Sequence, residues 1–118
     1  MRMWMVHPKI LCRQHLLGEH SEIHKHRHNF VKGHSFLGRI EGNAIEPASM
    51  GARHDRLVLE MKARGYNHKS PYVQPDLSGY DEELVNVKVD VFENVRLLIN
   101  RCPECKKRWI LRLSGKLE

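Results

Sequence analysis

Between positions 15 and 26 the chain places His15, Glu19, Glu22 and His26 at helical spacing. On a helix turning about 100° per residue they lie within about 60° of one another, as one polar stripe. Two carboxylates one turn apart repel, so one that is partly buried can hold a raised pKa, the state that proton-transfer chemistry uses. On an arbitrary helix such a stripe is a solvated face, and spacing alone makes no site. The setting here is basic: Arg2, Lys9, Arg13, Lys25, Arg27 and Lys32, with His20, His24 and His28. An acidic pair within a basic surface suits an enzyme that grips a phosphate backbone and acts at its centre.

A second chemical feature is Cys102-Pro103-Glu104-Cys105, whose C-x₂-C spacing is half a structural zinc site. Cys12 and any of the nine histidines could complete the set, but their spacing follows no standard finger. The preferred reading is two reduced thiols at a helix end. No metal and no cofactor are expected, with Cys102 and Cys105 as the remaining metal candidates. A redox role for C-x-x-C would need a βαβ pattern, which is missing. Three cysteines are an odd count, so a disulfide framework is not expected, and a reducing cytoplasm is.

These residues need elements to position them. Leu16, Ile23 and Phe30 recur every seven positions, with Cys12 four before Leu16, and Pro8 suits a first turn. That predicts a helix over 8–26. Glycines and Pro47 mark a loop over 29–47. Ser49 reads as the N-cap of a second helix over 49–64, stopped by Gly65, with Met50, Leu57, Val58 and Met61 on its core face. After a second loop the signals conflict. Val85, Val87, Val89 and Val91 alternate like a strand, whereas Val91, Val95, Leu98 and Ile99 repeat like a helix. A third helix is predicted over 90–101, with 84–89 open between strand and helix. A basic tail, 106–118, follows Pro103.

The 118 residues fit one compact domain. With 41% hydrophobic and 29% charged residues the chain should fold. No apolar run reaches the ~20 residues needed to cross a bilayer, and no membrane partner is expected. Met1–Val6 is too short for a signal peptide and is interrupted by Pro8 and Lys9. The net charge of +6 points to polyanions, nucleic acid above all.

The opening MRMWMVHPKILCRQHLLGEHSEIH resembles the start of the T-even phage type of pyrimidine-dimer DNA glycosylase. The shared pattern is Arg2, then Gln14-His15-Leu16, Glu19 and Glu22, without a gap. ARHDRLVLEMKARGYN is similar to that family's second helix, and VFENVRLLINRCP more loosely to its third. The resemblance implies an all-α single domain of about three helices, with the N-terminal segment threading between them. It implies a glycosylase and abasic-site lyase without metal or cofactor, acting as a monomer on double-stranded DNA damaged by ultraviolet light. It sets that activity in the cytoplasm of a bacterium or of a phage-infected host.

The same resemblance assigns the nucleophile to the α-amine of Met1 and the catalytic carboxylate to Glu22. Arg2 and His15 match residues that hold DNA or shape the site. Glu19, Lys25, Arg27, Lys32 and Trp109 complete the expected DNA-binding set. Met1 should be retained, because removal of the initiator needs a small second residue and Arg2 is large. Family arginines beside the glutamate are replaced by Ser21 and Lys25, and arginine and lysine are not equivalent at bidentate phosphate contacts. The HKHRH run at 24–28 supplies replacement charge that grows below about pH 6.5. The rival reading is a non-catalytic basic nucleic-acid-binding module, zinc-stapled through Cys102, Cys105 and the histidines.

Overall fold

The structure, a computed structural model, describes residues 2–33 and 36–117. Among these residues the secondary structure is helical throughout, without strands. The α-helices are α1 (Arg13–Val31), α2 (Leu37–Glu41), α3 (Met50–Ala63), α4 (Glu82–Val85), α5 (Val91–Arg101) and α6 (Pro103–Leu113). The all-α expectation holds, with more helices than three. None is long and apolar enough to cross a membrane.

The predicted apolar stripes form the core. Leu16, Ile23 and Phe30 of α1 and Met50, Leu57 and Met61 of α3 are buried together, with Leu98 of α5. The boundaries moved for identifiable reasons. Pro8–Ile10 makes only a 3₁₀ turn, and Leu11 and Cys12 are extended, so α1 begins at Arg13 and not at Pro8. It then runs past His26 to Val31, carrying Phe30 into contact with Phe36 and Tyr80. Ser49 makes no capping bond, because the 3₁₀ turn Pro47–Ser49 feeds straight into α3. Gly65 ends that helix as expected, at φ +83, a conformation glycine adopts without steric cost. The 106–118 tail is a correction: Pro103 at the first helical position starts α6, which packs beside α5.

The open segment 84–89 also resolves. Asp81 caps α4, and beyond it the chain has no regular structure as far as Val89, which is buried. Its N–H finds no neighbouring strand; it donates to the buried Glu46 carboxylate at 2.9 Å. Asp90 N–H donates to Asn43 Oδ1 at 2.7 Å, and the Asp90 side chain in turn caps α5.

Met3, Trp4, Val6, Ile10 and Leu11 are all buried, so the N-terminal segment is core. A buried segment outside the α-helices has no regular ladder to satisfy its backbone, and its carbonyls must find other donors. Side chains provide them. Asn94 Nδ2 donates to Trp4 O at 2.8 Å, and Arg53 Nη1 to Val6 O at 2.7 Å. Arg64 Nη2 reaches Leu11 O at 2.8 Å and Pro8 O at 3.1 Å. Arg108 Nε donates to Lys9 O at 2.7 Å.

Glu60 holds Arg64 and Lys9 in place, at 2.7 and 3.1 Å. Burial pushes its carboxyl pKa up, but the hydrogen bonds from Arg64 and Lys9 prevail and hold it below the usual range.

Arg53 is the most buried of these arginines. Its Nε and Nη2 meet Glu19 Oε2 and Oε1 at 2.6 and 2.9 Å, with both side chains fully buried. Removing one partner leaves an uncompensated interior charge. Glu19→Gln or Arg53→Met should each lower unfolding free energy in urea by about 3–5 kcal/mol, and the double variant Glu19→Leu/Arg53→Met should recover much of it. Single-variant costs of about 0–1 kcal/mol, as for surface pairs, would show that this pair does not anchor the fold.

Candidate active site

The α1 stripe faces inward. Glu19 is consumed by Arg53, so the expected DNA-binding residue is an interior anchor. Glu22, one turn on, is only 9% exposed. Its Oε1 lies 3.4 Å from Lys25 Nζ, on a lysine side chain that is 70% exposed. Glu22 is thus a buried carboxylate whose cation partner sits at the surface. His26 is buried and neither ring nitrogen has a hydrogen-bond partner. Burial, aided by the charge of Arg39 and opposed by Glu22, brings its pKa down to about 4.

Arg2 lies where the buried N-terminal segment reaches the surface. Its guanidinium stacks over Trp4, 5.3 Å from the ring centroid, and its Nη1 donates to Asn94 Oδ1 at 3.2 Å. Asn94 therefore orients Arg2 with its oxygen and pins Trp4 O with its amide nitrogen. Arg2, Trp4, Ala44 and Arg101 line an open groove of about 300 Å³. Two guanidiniums beside an aromatic ring suit an anion on an aromatic-bearing ligand, as in a nucleotide strand. Met1, expected as the nucleophile, lies outside the described residues.

The other expected residues separate. Lys25 and Lys32 are exposed near the end of α1. Arg27 is partly exposed and its Nε donates to Val73 O, tying α1 to the loop after α3. Trp109 packs against the core from α6. His15 is drawn to the start of α1, where Nδ1 lies 3.2 Å from Cys12 Sγ and 3.5 Å from Cys105 Sγ.

Several residues were not singled out by spacing. Arg53 and Asn94 gave no signal, because an arginine on an apolar helix and an asparagine within a helix read as surface. The histidines counted as surface cations are another case. His20 is buried, and its Nε2 lies 3.2 Å from His54 Nε2 and 3.0 Å from His68 Nε2. Burial, then the charges of His54, His24 and His68, bring its pKa down to about 4. Tyr72 stacks on His54, with centroids 4.9 Å apart. The i, i+4 pair His20/His24 was the available sign that these rings share one face.

A family model of pyrimidine dimer DNA glycosylases matches residues 1–74. The chain belongs to that family. No curated protein and no solved structure matches it. The matched region holds the N-terminal segment, α1, α2 and α3, and with them Arg2, Glu22, Lys25 and the Arg53–Glu19 pair. Asn94, Arg101, α5 and α6 lie beyond it. In this glycosylase the groove beside Arg2 is therefore completed by a part of the chain outside the family model.

The two neutral histidines make this fold sensitive to acid. Their usual value is 6.5 and the folded value about 4, so the unfolded chain takes up protons that the fold refuses. Stability should be unaffected by them above about pH 6.5, fall as pH drops towards about 4, and then level off. Urea midpoints at about pH 7 and about pH 5 measure this, and His26→Leu should shrink the difference between them. An unchanged difference would show that His26 titrates alike in both states.

Proposed function

We propose that this protein excises ultraviolet-induced pyrimidine dimers and nicks the strand at the resulting abasic site. The family membership supports the glycosylase step, and the chemistry of the N-terminal region supports the rest. An α-amine has an ordinary pKa of about 7.7–8.0, so a substantial neutral fraction exists at neutral pH, unlike a lysine. The Met1 amine attacks C1′ of the damaged nucleotide, and the base departs with the electrons of the glycosidic bond. Loss of the nitrogen proton and opening of the C1′–O4′ bond give an imine. Removal of a C2′ proton then expels the 3′ phosphate by β-elimination.

Glu22 is the group assigned to ring opening and to that proton transfer. The observation that carries the assignment is its contrast with Glu19. One carboxylate of the stripe is locked by a bidentate arginine, and the other is buried with only an exposed lysine against it. A carboxylate with a solvent-facing, displaceable partner can exchange protons with a substrate; one inside a bidentate pair cannot.

Arg2, with Arg101 across the groove, grips the backbone at the lesion, and Lys25, Arg27 and Lys32 extend the phosphate track along the end of α1. Reaching C1′ requires kinking the duplex or flipping a nucleotide, at a cost of a few kcal/mol, which a dimer-distorted site reduces.

Borohydride trapping on a duplex with one pyrimidine dimer, using protein with a free Met1 amine, should give a covalent adduct at Met1. Blocking that amine should abolish it. Glu22→Gln should retain binding and slow strand cleavage by about 10²–10⁴-fold, the usual loss on removing a general acid–base group. No adduct on either a dimer or an abasic site would leave a nucleic-acid-binding module. Lys25→Ala and Lys32→Ala should weaken binding alike across sequences and each lower the salt slope by about 1. An unchanged slope would place that lysine off the DNA.

A further inference from the structure

The start of α1 and the α5–α6 junction bring four ligand-bearing side chains together. Cys12, His15, Cys102 and Cys105 place their sulfur and ring-nitrogen atoms all within 4.8 Å of one another. We propose that these residues bind one zinc ion as a Cys₃His structural site that staples α6 to the N-terminal end of α1.

The distances match the ion's demands. Zn–S bonds of about 2.3 Å and Zn–N bonds of about 2.0–2.1 Å in a tetrahedron separate sulfurs by about 3.8 Å and sulfur from nitrogen by about 3.5 Å. Here Cys12 Sγ and Cys102 Sγ are 3.8 Å apart, and Cys105 Sγ and His15 Nδ1 are 3.5 Å apart. Cys12 Sγ and His15 Nδ1, at 3.2 Å, are slightly closer.

The backbone repeats the same device twice. Cys12-x₂-His15 and Cys102-x₂-Cys105 each start a helix, with the first cysteine as its N-cap. In each, the N–H of the second ligand donates to the first sulfur at 3.4 Å. Cys12 N–H donates to Cys105 Sγ at 3.2 Å. Every sulfur thus accepts a backbone N–H, the kind of outer contact that orients a metal ligand. A cleft of about 400 Å³ bordered by Cys12, Arg64, Tyr66 and Lys107 reaches one of the four ligands.

The site also has a reason to exist. α6 carries Arg108, which holds Lys9 O, so stapling α6 braces the chain that leads into α1. The His15 ring meets Trp4 edge-on, with centroids 5.8 Å apart, and Trp4 carries the stacked Arg2. His15 is then a positioning residue for the groove, acting through Trp4.

The test is metal content, which reads independently of glycosylase activity. Reduced full-length protein given equimolar zinc and desalted should retain one ion per chain by native mass spectrometry. Its three thiols should react with a thiol reagent only after a strong chelator is added. Cobalt(II) in place of zinc should show thiolate charge-transfer absorption with the intense bands of a tetrahedral ion. Cys102→Ser should lose that absorption, and His54→Ala, which disrupts the separate His20/His54/His68 group, should keep it. If Cys102→Ser does not fold, the cobalt spectrum and thiol protection of the unaltered chain decide alone. Loss of zinc on desalting, cobalt bound without thiolate absorption, metal lost in His54→Ala but kept in Cys102→Ser, or a Cys12–Cys102 disulfide would each overturn the proposal. None of these results would bear on adduct formation at Met1.

Discussion

The buried Arg53–Glu19 pair is the interaction on which the other features depend. Moving two charges out of water costs several kcal/mol per ion, and attraction repays this only when geometry is good and the remaining donors are satisfied. Both conditions are met. The guanidinium is bidentate on Glu19, and its remaining nitrogen is on Val6 O. One side chain therefore fixes three things at once: the rotation of α1, its packing on α3, and the depth of the N-terminal segment. Once the rotation of α1 is set, Glu22 must come up one turn along the same buried face. Once Val6 is held, Arg2 must emerge a short way up the chain. A glutamine at position 19 would have the right shape but would strand a guanidinium inside the protein.

The buried N-terminal segment lies outside the α-helices, and that explains the residue types around it. A sheet would have satisfied its carbonyls with a neighbouring strand. Here Arg53, Arg64, Arg108 and Asn94 do so one group at a time. Each of these donors sits on a different helix or helix end, so the segment is gripped from several sides. Met5 marks the cost. It adopts φ 58, in the left-handed region, which for a residue other than glycine costs roughly 1–2 kcal/mol. The carbonyls on either side of it, Trp4 and Val6, are the two held by Asn94 and Arg53, which over-determine the turn.

Periodicity reported the helices well and the site poorly, for a physical reason. Leu16, Ile23 and Phe30, or Met50, Leu57 and Met61, reveal a buried face because burial selects apolar side chains at a fixed spacing. Buried polar groups obey no such rule, since each is placed by one long-range partner. Glu19 and Arg53 are 34 residues apart, and Arg2 and Asn94 are 92 apart. The helical stripe of His15, Glu19, Glu22 and His26 was legible as a stripe, but its four members have four different surroundings. The thiols show the same limit. Cys102-x₂-Cys105 was visible as half a site, yet Cys12-x₂-His15 was hidden among three cysteines and nine histidines until the chain ends were brought together.

The positive charge has to be read in the same spatial way. A net +6 suggests a basic surface, but several cations are structural. Arg53, Arg64, Arg108 and Lys9 face inward to carbonyls or carboxylates. Glu19, Glu22, Glu46 and Glu60 are buried too, as many carboxylates as those four cations, so the surplus stays outside. His20 and His26, neutral in the fold, add nothing to it at neutral pH. What is left to meet a polyanion in the proposed function is a smaller group, including Arg2 and Arg101 at the groove and the exposed Lys25 and Lys32 at the end of α1. The Glu22 carboxylate lies next to Lys25 in that group, so a phosphate that draws Lys25 away would also leave Glu22 without its cation. In the proposed mechanism, substrate binding and release of the Glu22 carboxylate would thereby be coupled through one exposed side chain.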